Sequence, residues 1–91
     1  MLQLPRELTY RQARSCLVQL QPLVAAFEGR QVPMDASGIE VFDSAALAVL
    51  LACRRTAQAV DKQLVVVGLP QGLRSMAALY GVDGLLQDAP V

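Results

Sequence analysis

The sequence lacks the residues on which most catalytic and metal sites depend. It contains no histidine, only two cysteines, no Cys-x-x-Cys pair and no glycine-rich phosphate loop. Without histidine, the remaining candidate nucleophiles have no base to activate them; these are Ser44 beside Asp43, Cys53 and Tyr80. No cluster of metal ligands stands out in the sequence either. We therefore expect no enzyme activity, no metal and no cofactor.

Charged residues are also scarce. They form 18% of the 91 residues, hydrophobic residues form 54%, and eight basic and eight acidic side chains cancel. This composition excludes a disordered chain, because disorder goes with low hydrophobicity and high net charge. Nucleic-acid binders normally carry a basic surplus, so no nucleic-acid partner is expected. So few charges leave apolar surface for a protein partner.

No hydrophobic run is long enough to cross a membrane. The longest, Ala45 to Cys53, falls well short of the roughly 20 residues that a bilayer requires. The first seven residues lack the apolar stretch of a signal peptide, and no basic amphipathic helix indicates membrane insertion. Cys16 and Cys53 have apolar neighbours, as reduced thiols of cytosolic proteins do. We expect a soluble cytoplasmic protein with a single domain over residues 1–91.

Hydrophobic periodicity predicts alternating strands and helices. Pro22 should kink or split the first helix, Gly29 should end it, and Tyr80 should face inward from the last helix. The alternation predicts an α/β fold with three to four mainly parallel strands, the fourth near Ile39–Val41, and three to four helices. The predicted strands are 2–4, 32–36 and 64–67, and the predicted helices are 10–27 after Thr9, 44–60 after Asp43, one after Pro70 and a last turn over 82–87.

The turn at Asp43 and Ser44 is the most suggestive local feature. An N-cap role explains Asp43 fully, since a carboxylate there accepts free amide hydrogens of the first helical turn. The hydroxyl of Ser44 is not needed for capping and should point outward near the positive end of the helix dipole. A phosphate there would be favoured by about 0.3–1 kcal/mol, yet in an interface it would repel a partner. Ser44 is therefore a candidate regulatory residue, although serine is also common in a first turn.

The helix after Asp43 has a second unusual property, a front half that is apolar on every side. We expect Leu47, Leu50 and Leu51 to pack on the sheet. The opposite side would then be smooth and weakly polar, which would let a partner helix approach closely. The alternative is that its alanines are simply good helix formers. This side carries Ala45, Ala48, Ala52 and Arg55.

The segment Met34–Leu51 resembles the signature of the STAS domain family. Further matches cover essentially the whole chain, at 4–9, 67–70 and 79–86. Within that family the chain is most similar to the MlaB group, which implies a non-enzymatic accessory subunit that binds an MlaF-like ABC transporter ATPase and supports intermembrane phospholipid transport. It would lie peripheral to the inner membrane through that complex. The resemblance implies that Ser44 marks the regulatory and binding position. Together with the smooth side of the helix, this predicts a partner-binding site of Phe42, Asp43, Ser44, Ala45, Ala48, Ala52 and Arg55.

The STAS resemblance also supports an alternative function. Anti-sigma factor antagonists belong to the same family, and such a protein would be regulated by phosphorylation of Ser44, with a kinase or an anti-sigma factor as its partner. The sequence departs from the family pattern in having Ala45-Ala46 where glycine is common, Thr9 where aspartate is common, and no counterpart of the usual first strand. The oligomeric state, including a homodimer paired through exposed strand edges, stays open.

Overall fold

The computed structural model describes residues 1–86. Its strands are β1 Leu2–Gln3, β2 Glu7–Leu8, β3 Gln31–Asp35, β4 Val41–Phe42 and β5 Gln63–Val67. Its α-helices are α1 Tyr10–Ala26, α2 Ser44–Ala59 and α3 Gln71–Leu79, and a 3₁₀ turn covers Asp83–Leu85. The predicted α/β fold is thus confirmed. The last turn was predicted to reach Gln87, which lies outside the described residues.

The main sheet has three parallel strands in the order β1-β3-β5. Met34 of β3 is in register with Leu2 on one side and with Val66 on the other. β1 reaches only as far along β3 as Met34, so the edge of β3 before that point is not paired with β1. Pro33 lies in this unpaired stretch. The backbone of Asp35 faces β1, and because Pro33 is two residues earlier, its nitrogen points to the same side. No β1 residue is present there to accept a hydrogen bond, so the missing N–H of Pro33 costs no bond of the sheet.

The hydrophobic core lies on one face of this sheet. Val32, Met34 and Val66 point to that face and are fully or almost fully buried, whereas Pro33 and Val65 on the opposite face are only half-buried. All three helices contribute to the same core. Their fully buried side chains include Val24, Val49, Leu50, Cys53, Leu73 and Ala77.

A second, two-stranded sheet was not predicted. β4 overlaps the expected fourth strand at Val41 and ends one residue beyond it, but it pairs in parallel with β2 instead of joining the main sheet. The prediction was wrong on this point because β2 is only two residues long and shows no alternation. Glu7 pairs with Val41, and Leu8 pairs with Phe42.

The first helix is not split at its proline. α1 is one continuous helix through Pro22. Pro22 has no N–H to donate to the carbonyl of Val18. Both residues lie on the exposed side of the helix, where water can bind that carbonyl instead. It ends at Ala26, with Phe27 as the C-cap, and not at Gly29. Lys62 stabilises this end by donating from Nζ to the carbonyls of Ala25 (2.8 Å) and Phe27.

The third helix is shorter than its hydrophobic pattern predicts. Leu73 and Ala77 are buried as expected, but Tyr80 is 62% exposed. Tyr80 follows the last helical residue, so the helical period no longer sets its direction. Gly81 then adopts a left-handed backbone with φ of 72°, a conformation that glycine takes without strain.

Candidate functional site

The candidate site forms where two helices begin side by side. Because β2 and β4 are parallel and in register, Thr9 and Asp43 follow them at the same level. Thr9 caps α1, its Oγ1 accepting from Arg11 N (3.3 Å), while its own N–H donates to Gln12 Oε1 (3.0 Å). Asp43 caps α2, its Oδ1 accepting from Ala45 N (2.8 Å).

Asp43 also binds the neighbouring helix. Its second oxygen, Oδ2, accepts a hydrogen bond from Tyr10 N, the first residue of α1, at 3.1 Å. One carboxylate therefore satisfies an otherwise free amide in the first turn of each helix. The cap was predicted from the sequence, but the second bond was not, because it depends on the unpredicted pairing of β2 with β4.

Ser44 is exposed and its side chain is unengaged. It occupies the first position of α2, and its hydroxyl has no hydrogen-bond partner within residues 1–86. The N-terminal end of a helix carries a partial positive charge, which favours a negative group nearby. An added phosphate or an approaching partner would therefore reach this hydroxyl without displacing an internal contact.

An exposed stripe continues from Ser44 along α2. We define the α2 stripe as Ser44, Ala48, Leu51 and Arg55, which follow one another at three- or four-residue spacing. Ser44, Ala48 and Arg55 are exposed, and Leu51 is half-buried at the edge of the core. The sequence placed Leu51 against the sheet with Leu47 and Leu50, and the latter two are indeed buried.

The other two alanines of the predicted site turn toward α1. Ala45 is half-buried, and Ala52 is only 9% exposed. Ala52 lies one turn before Thr56, whose Oγ1 accepts a hydrogen bond from Gln21 Nε2 of α1 at 3.1 Å. This side of α2 is covered because α1 packs along it, which the spacing of the alanines alone does not reveal.

Phe42 contacts the third helix of its own chain. A Cβ atom placed on Gly72 would lie 2.7 Å from Phe42 Cζ, so the ring packs against α3 at a position without a side chain. Phe42 is half-buried as a result. Only part of this predicted partner-binding side chain is left for an outside contact.

The two thiols are poor nucleophiles. Burial raises the pKa of Cys16, and burial together with the nearby Cys16 raises the pKa of Cys53 to about 11. A thiol rather than a reactive thiolate is therefore present at neutral pH. Cys16 also lines a groove between β1 and α1, with Leu4, Gln12, Ser15 and Leu20 among its neighbours there.

A hydrogen-bonded turn follows the central strand. Ser37 donates to Asp35 Oδ1 from its hydroxyl (2.6 Å) and from its backbone N–H (2.9 Å). These two bonds hold the pKa of Asp35 below its ordinary value, because they favour the charged carboxylate. Within residues 1–86 no three or more metal-ligating side chains come together, and no helix has the length and hydrophobicity to cross a bilayer.

Comparison with known proteins identifies the family. The family described as "Mlab, STAS domain" matches residues 1–87. The chain belongs to this MlaB-like STAS family. Domains of this family are generally non-enzymatic regulatory or accessory domains that interact with other proteins. No curated protein matches the sequence.

A solved structure has the same fold as this chain. The chain is similar to the anti-sigma factor antagonist SpoIIAA in its unphosphorylated form, with a TM-score of 0.74 over 97% of this chain and 76% of that one. The sequence identity is 15%, so the likeness concerns the fold. The MlaB-like STAS chain described here therefore shares its architecture with an anti-sigma factor antagonist.

Proposed function

We propose that this STAS domain is an accessory subunit of an MlaFEDB-type ABC transporter. It would bind the MlaF-like ATPase subunit and support the movement of phospholipid between membranes. The family match over residues 1–87, which carries the MlaB name, supports the proposal. The binding role accords with the general behaviour of STAS domains, which act through contacts with other proteins.

The observation that carries the proposal is the exposed α2 stripe. Ala48 at its centre has a small side chain and is exposed, so a helix of the partner could approach the backbone of α2 closely. Ser44 lies at one end and Arg55 at the other. The proposed contact surface therefore contains fewer residues than the partner-binding site predicted from the sequence, because Ala45, Ala52 and Phe42 are partly or fully buried within the chain.

Two substitutions on the stripe test this function. Ala48→Arg adds a long charged side chain at its centre, and Ser44→Asp adds a negative charge at its end, so we expect each to weaken binding to the purified ATPase by about tenfold or more. Affinity would be measured by titration calorimetry, with circular dichroism to confirm folding. The matched control, Ala78→Arg, makes the same change at an exposed alanine of α3 and should bind normally. Wild-type affinity in both stripe variants would contradict the proposed interface.

The exposed hydroxyl of Ser44 favours one alternative, an anti-sigma factor antagonist regulated by phosphorylation. Such a protein would carry the phosphate at Ser44 and bind an anti-sigma factor only without it. Incubation with the cognate serine kinase and ATP, followed by intact-mass measurement, separates the two functions. A phosphate present on the wild type and absent from Ser44→Ala would support the alternative. No phosphate, together with binding to the ATPase, would support the transporter role.

A further inference from the structure

The charges of this neutral chain are distributed unevenly. The three α-helices contain no aspartate or glutamate, and every acidic residue of 1–86 lies outside them. The arginines of the helices are Arg11, Arg14, Arg54, Arg55 and Arg74. The helical layer is therefore positively charged, although the eight basic and eight acidic residues of the whole sequence cancel.

Arg14 of α1 lies beside the α2 stripe. Tyr10, Arg14 and Gln21 share one side of α1, since their spacings of four and seven residues are close to whole turns. That side borders α2 at Gln21, whose side chain donates to Thr56, and the bond from the backbone N–H of Tyr10 to Asp43 sets the starts of the two helices side by side. The helices thus run parallel with an offset of 33 to 35 residues, which places Arg14 level with Ala48.

Arg55 lies on the stripe itself, two turns after Ala48. The two residues are about 10 Å apart along the helix axis. Both Arg14 and Arg55 are exposed, and within residues 1–86 neither forms a salt bridge. Asp43, the acidic residue nearest the start of the stripe, is engaged by the amides of Tyr10 and Ala45. In the described part of the chain, the surface therefore presents two guanidinium groups without acidic partners, separated by a small side chain.

We propose that this surface, formed by Arg14, Ser44, Ala48 and Arg55, docks on a protein that presents carboxylates opposite the two arginines. A guanidinium group binds a carboxylate through two parallel hydrogen bonds, and the alanine between allows the backbones to approach. The inference rests on the proposed function, and its partner is the ATPase subunit. A phosphate on Ser44 would lie within the same surface and repel those carboxylates.

The observations favour an acidic protein over an anionic membrane. Electrostatic membrane binding normally uses about four to eight clustered lysines or arginines. Here two arginines flank an alanine, and no lysine occurs in the three helices. Two fixed charges at a set spacing suit a partner with matching geometry more than a fluid surface.

Association kinetics with the purified ATPase test the inference. Between about 50 and 500 mM NaCl we expect the wild-type association rate to fall by about tenfold, because salt screens the attraction. Arg14→Gln and Arg55→Gln should each lower the low-salt rate about threefold and flatten its salt dependence. Arg30→Gln removes an exposed arginine outside the helices and serves as the matched control. Circular dichroism would show that all variants are folded.

The outcomes distinguish this inference from the proposed function. A complex whose association rate is insensitive to salt, with both arginine variants equal to Arg30→Gln, would overturn the inference and leave the proposed function standing. No complex with the wild type would overturn both. The chain alone would also be sedimented with phosphatidylglycerol vesicles. If the wild type binds the vesicles and Arg14→Gln and Arg55→Gln do not, the partner of this surface is an anionic membrane and not a protein.

Discussion

The carboxylate of Asp43 holds together the starts of two helices. Its oxygens accept hydrogen bonds from Ala45 N at 2.8 Å and from Tyr10 N at 3.1 Å. Ser44, the next residue, makes no comparable contact within the described part of the chain. Two adjacent polar residues thus have separate roles, since the acid stabilises the fold and the exposed hydroxyl is available to a partner or a kinase.

This division predicts opposite results for the two residues. Asp43→Ala loses both hydrogen bonds, so we expect the free energy of unfolding in urea to fall by about 1–3 kcal/mol. Asp43→Asn keeps one acceptor oxygen, so its free energy of unfolding should lie between those of Asp43→Ala and the wild type. Ser44→Ala should stay within about 0.5 kcal/mol of the wild type. A destabilisation by Ser44→Ala equal to that of Asp43→Ala would contradict the assigned roles.

At the scale of elements, α3 is positioned by its contact with β4. The ring of Phe42 occupies the space that a side chain at Gly72 would need, since a Cβ atom there would lie only 2.7 Å from Phe42 Cζ. α3 also follows directly after the loop at Gly68, where φ is 69° and a Cβ would lie 2.8 Å from Ser37 Cβ. Two glycines therefore allow α3 and its loop to pack against the segment that leads into α2.

The contact between Phe42 and Gly72 can be tested with one substitution whose effect on stability should change sign when the Phe42 ring is removed. Gly72→Ala should destabilise the protein by about 1 kcal/mol, because the methyl group displaces the ring. In a Phe42→Leu background the same change should be neutral or stabilising, since alanine is the better helix former. Urea unfolding of the four proteins measures the coupling, with Gly84→Ala as a control that meets no atom within 4 Å. Equal effects in both backgrounds would rule out the contact.

On the scale of the whole molecule, the buried thiols link stability to pH. Cys16 of α1 and Cys53 of α2 both lie in the core that these helices share. Burial, and for Cys53 also the neighbouring Cys16, raises the pKa of each thiol above its ordinary value of 9.0, to about 11 for Cys53. The folded protein therefore retains these protons at a pH where the unfolded chain loses them.

The consequence is an alkaline loss of stability. Below about pH 9 the neutral thiol of Cys53 makes its full contribution to the free energy of unfolding. Between about pH 9 and pH 11 this contribution is lost, because the thiol ionises in the unfolded chain but not in the folded protein. We expect the free energy of unfolding to fall less steeply with pH over this range in Cys53→Ala than in the wild type. Urea titrations at several pH values measure both slopes. Identical slopes would show that Cys53 does not cause the effect.

The α/β class and the order of the main elements were predictable from the sequence, and the candidate site at Asp43 and Ser44 stays a prediction made from it. They follow from local properties: the 3.6-residue period of the helices, the β-branched strand at 64–67, and Asp43 followed by Ser44. Which side of α2 is exposed was not predictable, because it depends on how the helices pack. Packing covers Ala52 with α1 and leaves Ala48 open, and the parallel run of the two helices sets Arg14 level with Ala48.

The pairing of β2 with β4 is likewise a property of the tertiary structure. Two residues in each strand carry too little pattern to predict a partner, yet this pairing sets the two helix starts side by side and gives Asp43 its second hydrogen bond. A local pattern fixes which residues can form a helix or a strand. Which surfaces remain exposed depends on contacts between distant segments, as the bond between Tyr10 and Asp43, 33 residues apart, illustrates.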